Sequence, residues 1–187
     1  MKKKRLFLAV NLPKRIKRDL VSIQEILKKR TSSKAVKWVE EENLHLTLLF
    51  LGYVSEKEIE KVVDSLAKVK VDRFWLQLRN LGFFPHEKNP KIVWVGTKGE
   101  VDVLKKLYKE IVLVLKKKGL SFEPRFSPHL TLGRIKRGKV SFFHSKKVDQ
   151  IIKLSKKFSV QKFALMESVL TRQGPKYSLV KDFYLYK

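Results

Sequence analysis

The apolar positions of this chain keep changing period, and each change marks a new element. Arg5–Val10 is a short apolar run closed by Asn11-Leu12-Pro13, and it reads as a first strand. From Pro13 to Arg30, Ile16, Leu20, Ile23 and Leu27 recur at helical spacing, with Pro13 suited to the helix start. Lys37–Glu40 and Leu44–Leu51 read as strands. Ser55 followed by Glu58 has the form of a capping box, opening a helix to about Val69. Phe74–Leu81 and Ile92–Val95 are strand-like, with Phe84-Pro85 to Pro90 as punctuation between them. Glu100–Lys118 carries Val103, Leu107, Ile111 and Val114 on one stripe, and Gly119 suits a helix C-cap. Pro128–Ile135 reads as a strand and Val148–Lys156 as a helix; Phe158–Leu170 and Tyr177–Tyr186 read as a closing pair joined by Gln173-Gly174-Pro175.

No linker or low-complexity block interrupts this order, so one domain is expected over 1–187. A strand, helix and strands succession that repeats itself predicts an α+β fold of two similar lobes with largely antiparallel sheets. The chain contains no apolar run of 18 residues, and its basic start MKKKRLFLAV is cut short before a signal-peptide core could form; no membrane association is expected. The absence of cysteine excludes disulfides, thiolate nucleophiles and Cys-ligated metals, and fits a cytoplasmic protein. Together with few Asn and Gln it suggests a thermophilic source.

Charge adds a partner. Lys and Arg number 43 against 18 Asp and Glu, a net +25. From Arg134 to the C-terminus there are 14 cations against Asp149, Glu167 and Asp182. A lysine-rich thermophilic surface would balance Lys with Glu, and here that balance is missing. The excess points to a polyanion, with nucleic acid first.

Against this background the tetrapeptide HLTL occurs twice, at 45–48 and 129–132, using two of four histidines and two of five threonines. The copies lie close to half a chain apart, as an internal duplication would place them. In an extended strand Leu44, Leu46, Leu48 and Phe50 share one face, while His45 and Thr47 share the other with Leu49. In the second copy Leu130 and Leu132 face inward and His129, Thr131 and Gly133 oppose them. Two such strands meeting in a cleft would offer two imidazoles and two hydroxyls, with Arg134 nearby if the strand ends or twists at Gly133. That set suits metal-free phosphodiester chemistry. A neutral His takes a proton from the attacking oxygen, a charged His gives one to the leaving oxygen, and the hydroxyls and Arg134 hold the phosphate. Zinc is the rival reading, but the motif lacks a third ligand at ligand spacing; Glu41, Glu42 and Glu123 are the nearest carboxylates in sequence. His86 falls in a turn and His144 before a helix start, where both read as solvated. Trp38, Trp75 and Trp94 read as core, and Tyr177 either stacks on a base or closes a sheet.

These residues resemble the two-histidine (2H) phosphoesterase superfamily, and within it the RNA 2′,3′-cyclic phosphodiesterase branch, also called the 2′-5′ RNA ligase family. RLFLAVNLP at 5–13, KWVEEENLHLTLLFLG at 37–52, LGFFPHEKNPKIVWVG at 81–96, FSPHLTLGR at 126–134 and ESVLTRQGPKYSLV at 167–180 carry the resemblance. It implies a bilobal fold of pseudo-two-fold symmetry with outer helices around a basic central cleft. It also implies hydrolysis of a terminal RNA 2′,3′-cyclic phosphate to a 2′-phosphomonoester with no cofactor or metal. By the same resemblance His45 is the proton donor to the leaving 3′ oxygen and His129 the base. Thr47, Thr131 and Arg134 hold phosphate, and Tyr177 is a further substrate-binding candidate. Ligation of tRNA halves, the reverse reaction with an RNA 5′-hydroxyl, is the alternative activity; a non-catalytic RNA-binding protein is the alternative class. The partner is RNA and the expected state is a monomer, since two lobes already build one site.

Overall fold

The computed structural model describes residues 2–31, 35–87, 89–136, 146–172 and 174–187. Its first repeat runs β1 (Lys3–Asn11), α1 (Lys14–Lys28), β2 (Val36–Trp38), a 3-10 turn at Glu41–Asn43, β3 (His45–Ser55), α2 (Glu56–Leu66) and β4 (Phe74–Phe84). The second runs β5 (Ile92–Gly99), α3 (Val101–Lys116), β6 (Leu130–Ile135), α4 (Lys146–Leu154), β7 (Phe158–Val160), β8 (Lys162–Thr171) and β9 (Gly174–Tyr184). The α+β class, the antiparallel pairing and the outer helices match expectation.

The α1 stripe buries the residues that the spacing selects, Ile16, Leu20, Ile23 and Leu27; on α3 Leu107 and Ile111 are buried as expected, but Leu104 and Leu115 complete the stripe while Val103 and Val114 are only half-buried at its edge. The α2 capping box forms, with the Ser55 N–H donating to Glu58 Oε2 at 3.1 Å. Gly119 ends α3 at φ 72°, a conformation glycine adopts without strain. Its neighbour Leu120 donates back to the Leu115 carbonyl at 3.4 Å, as in a helix-ending Schellman turn.

Among the described residues all strands join one antiparallel sheet in the order β7-β4-β5-β6-β3-β1-β8-β9, with β2 beside β6. The lobes are not contiguous halves of the chain. β4 of the first repeat pairs with β5 of the second, and β8 pairs back with β1. Each lobe therefore takes strands from both repeats. They meet at the centre where β3 and β6, the two motif strands, pair through Leu46 and Leu130.

Phe158–Leu170 is two strands rather than one. The chain leaves β7 on one side of the sheet, passes Gln161, and enters β8 on the other. That crossing requires a strongly curled sheet, and the far ends do approach: Asp72 bridges Tyr186, and the Tyr186 carbonyl accepts from the Arg73 N–H at 2.9 Å. One hydrophobic core, from Leu6 and Leu8 through Leu46, Leu130 and Leu132 to Leu104 and Ile152, lies under the helices of both lobes. Among the described residues no helix is long and apolar enough to cross a membrane.

Candidate active site

Strict alternation does not survive along β3, and the departure shapes the site. Leu8 opposes Leu49 and Ala9 opposes Thr47, so Leu48 is an extra residue in a bulge. The bulge turns Leu48 and Leu49 both inward, each 1% exposed, and sends Phe50 to the motif face, 57% exposed. The expected core position of Phe50 and the motif-face position of Leu49 are thus corrected. β6 repeats the device at the equivalent residue: Val93 opposes Gly133 and Trp94 opposes Thr131, leaving Leu132 extra. Gly133 is then buried and Arg134 is exposed on the side of His129 and Thr131, which explains how a residue of the leucine parity reaches the site. Position 50 in the first copy corresponds to 134 in the second. One lobe holds an aromatic where the other holds a guanidinium.

β6 begins at Leu130, so His129 stands just before the strand rather than within it. Continuing the antiparallel Leu46–Leu130 register by one residue each way sets His45 toward Thr131 and Thr47 toward His129. Both imidazoles are oriented alike. His45 Nδ1 donates to the Asn43 carbonyl at 2.6 Å, and His129 Nδ1 donates to the Ser127 carbonyl at 2.5 Å. With the Nδ1 proton so committed, Nε2 of each neutral ring carries the free lone pair. The Thr47 hydroxyl donates to that of His45 at 3.0 Å.

Aromatic walls back both rings. His45 packs on Phe7, with centroids 5.1 Å apart, and meets Tyr177 edge-on at 5.3 Å. His129 meets Phe84 edge-on at 5.0 Å and Trp94 at 6.2 Å. Trp94, expected as core, is instead half-buried against His129, because the absence of a side chain at Gly82 leaves room for the indole. A Cβ at Gly82 would lie 2.2 Å from Trp94 Cζ2. The Asn43 side chain donates to the Pro175 carbonyl at 3.2 Å, tying the β8–β9 hairpin and its Tyr177 to the segment that holds His45.

Burial pushes the His45 imidazole down to about 4, against a partial upward pull from its bond to Asn43; Lys17, His129 and Arg134 lower it further. His129 is lowered chiefly by burial too, partly offset by Ser127, with Arg134 adding a smaller push. Burial raises the Tyr177 hydroxyl, while Arg134 and Arg5 pull it down. Arg134 is therefore within electrostatic reach of His45, His129 and Tyr177, and His129 within reach of His45. Lys17 joins them from α1, its ammonium donating to the Glu42 carbonyl at 2.7 Å.

Of the two other histidines only His86 is described, and it is not among the groups that shift His45 or His129. His86 lies in an exposed turn, and His144 lies outside the described residues. Among the described residues no three His, Asp or Glu side chains group as a metal site. Sequence reasoning passed over Phe7, Asn43, Lys17 and Phe84. The carbonyls two residues before each histidine could have been sought, since the two copies share that spacing; the aromatic walls come from strands remote in sequence.

Two consecutive segments, 10–94 and 95–177, each match the family described as LigT like phosphoesterase, one HLTL copy in each. The RNA 2′,3′-cyclic phosphodiesterase of Archaeoglobus fulgidus is 34% identical, over 96% of this chain and 99% of its own length. That of Thermotoga maritima is also 34% identical, over 95% and 94% respectively. Among solved structures, E. coli LigT in apo form superposes over the whole of both chains with a TM-score of 0.79 at 26% identity.

Proposed function

The chain belongs to the LigT-like phosphoesterase family, and from that membership we propose that it hydrolyses the 2′,3′-cyclic phosphate at an RNA 3′ end to a 2′-phosphomonoester. The observation that carries the reading is the pair of imidazoles in one electrostatic group, each with Nδ1 tied to the carbonyl two residues earlier, which leaves the Nε2 lone pair of each neutral ring to accept, from the Thr47 hydroxyl in the case of His45. Relatives bearing that activity's name align over nearly the full chain, which supports it.

In this mechanism water attacks phosphorus opposite the 3′ oxygen. His129 Nε2 takes the water proton, the P–O3′ bond breaks, and His45 returns a proton to the 3′ oxygen. Thr47, Thr131 and Arg134 hold the non-bridging oxygens, where hydroxyl and guanidinium donors stabilise the growing charge. In the free protein at neutral pH both rings are mostly neutral, His45 the more so. A bound phosphate anion raises both imidazoles, and His45 becomes a competent acid only with that charge beside it. Tyr177 lines the pocket at the edge of His45, and its hydroxyl is a further substrate contact.

The test is an RNA bearing a 2′,3′-cyclic phosphate, assayed with EDTA present. Turnover to the 2′-phosphate should persist, and His45→Ala or His129→Ala should each lose about 10²–10⁴-fold. Loss of activity in EDTA, or a variant at near-wild-type rate, rejects the mechanism. A 3′-thio analogue, whose leaving group needs no proton, assigns the roles: it should rescue His45→Ala and leave His129→Ala inactive. The opposite pattern would exchange them.

Ring opening run backwards with an RNA 5′-hydroxyl would join tRNA halves through a 2′-5′ bond. In ~55 M water that remains a side reaction unless the second RNA is held in place. RNA is thus the proposed partner, met by a monomeric cytoplasmic protein of thermophilic origin, in keeping with a cysteine-free chain of net charge +25. RNA binding without turnover would instead favour the non-catalytic reading.

A further inference from the structure

Among the described residues the helices form two pairs, α1 against α4 and α2 against α3. Their charges are segregated. α2 and α3 together carry six lysines and six acids. α1 and α4 carry eight cations against Asp19, Glu25 and Asp149; Lys156 and Lys157 lie just after α4, as Lys117 and Lys118 do after α3, so the difference lies in the acids. α3 holds the place in the second repeat that α1 holds in the first, and both bury the same kind of apolar stripe. Packing therefore places equal demands on both pairs and does not account for the difference.

Lys14, Arg15, Arg18, Lys147, Lys153 and Lys157 are all exposed. They form one surface: Arg15 Nη2 donates to the Lys157 carbonyl at 3.3 Å, and Lys157 Nζ stands 3.8 Å from the Trp75 ring centroid. None of the six takes part in an ion pair among the described residues. The surface also starts at the cleft. Asn11, just before α1, is in register with His45, and Lys17 of the second turn reaches the Glu42 carbonyl beside the 3-10 turn that carries Asn43.

We infer that the α1/α4 face is a docking surface for the phosphate backbone of the RNA upstream of its cyclic-phosphate end. This rests on the RNA reading above and adds where the body of the substrate lies. Dense unpaired cations on rigid helices bind a polyanion by releasing its counterions, without reading sequence. A substrate of one nucleotide reaches only the cleft; a longer one runs from the His45 rim across α1 toward α4.

The experiment compares two triple variants of equal charge change, Arg18→Glu/Lys147→Glu/Lys153→Glu on this face and Lys106→Glu/Lys109→Glu/Lys116→Glu on α3. A labelled 20-nucleotide RNA with a 3′-hydroxyl is titrated at several salt concentrations, and hydrolysis of a 2′,3′-cyclic mononucleotide is followed in parallel. The α1/α4 variant should lose tenfold or more in RNA affinity. Its salt slope should fall by about 2, three phosphate contacts at about 0.7 each. The α3 variant should stay within about threefold, and mononucleotide turnover should change less than twofold in both. Equal weakening by both variants, or none by the first, overturns the inference. Face-dependent RNA binding by a protein that opens no cyclic phosphate would sink the proposed activity and leave this surface standing. Mononucleotide turnover with RNA affinity untouched would do the reverse.

Discussion

His45 and His129 owe their readiness to a backbone carbonyl rather than to a carboxylate. Each ring gives its Nδ1 proton to the carbonyl two residues earlier, Asn43 or Ser127. Among the described residues no carboxylate is among the groups that shift either ring, so burial dominates and both resist protonation. That resistance is a stability statement. The unfolded chain holds its histidines at about 6.5 while the folded one keeps His45 at about 4, so the unfolded state binds more protons between those values. The contribution is complete above about 6.5 and is lost as pH falls toward 4. The melting temperature should therefore drop from pH 7.5 to 5, and His45→Gln should flatten that slope; an unchanged slope in the variant would refute the link. The histidines and threonines were legible because the repeated tetrapeptide names them by residue type. Asn43 was not legible as a support for His45, because any residue supplies a carbonyl.

The bulges at Leu48 and Leu132 decide what each motif strand shows to the cleft. They place Phe50 and Arg134 at matching positions, so the repeat gives the two lobes like imidazoles and unlike neighbours. Helix stripes, the Ser55–Glu58 box and the Gly119 cap were readable because each depends on residues within a turn or two. A bulge depends on the partner strand, β1 or β5, so period-two reasoning misplaced Phe50 and needed a twist to rescue Arg134. The split of Phe158–Leu170 at Gln161 escaped for the same reason: two apolar strands with different partners look like one. Trp94 shows how a neighbouring strand sets a site residue. Gly82→Ala would drive a methyl into the indole and release the wall behind His129. The variant should fold, since β4 keeps its pairing, yet lose at least tenfold in kcat/KM for a cyclic mononucleotide. A wild-type rate would show that Trp94 does not hold His129 in place.

At the scale of the molecule, a curled sheet shared by both repeats brings two copies of one tetrapeptide to a common seam at Leu46–Leu130. Half-chain spacing made the duplication legible. The exchange of β4 and β8 between lobes was not, because strand order within a sheet leaves no mark in a single sequence. The central claim is that the seam sets two histidines, both lowered, on one phosphate as acid and base. The pH dependence of kcat/KM on a cyclic mononucleotide, in EDTA, tests it most directly. One ring must be charged and the other neutral, so the profile should be a bell; both rings are lowered in the free protein, so its maximum should lie below about pH 6.5. A single rising limb, or a maximum above neutrality, would contradict the account.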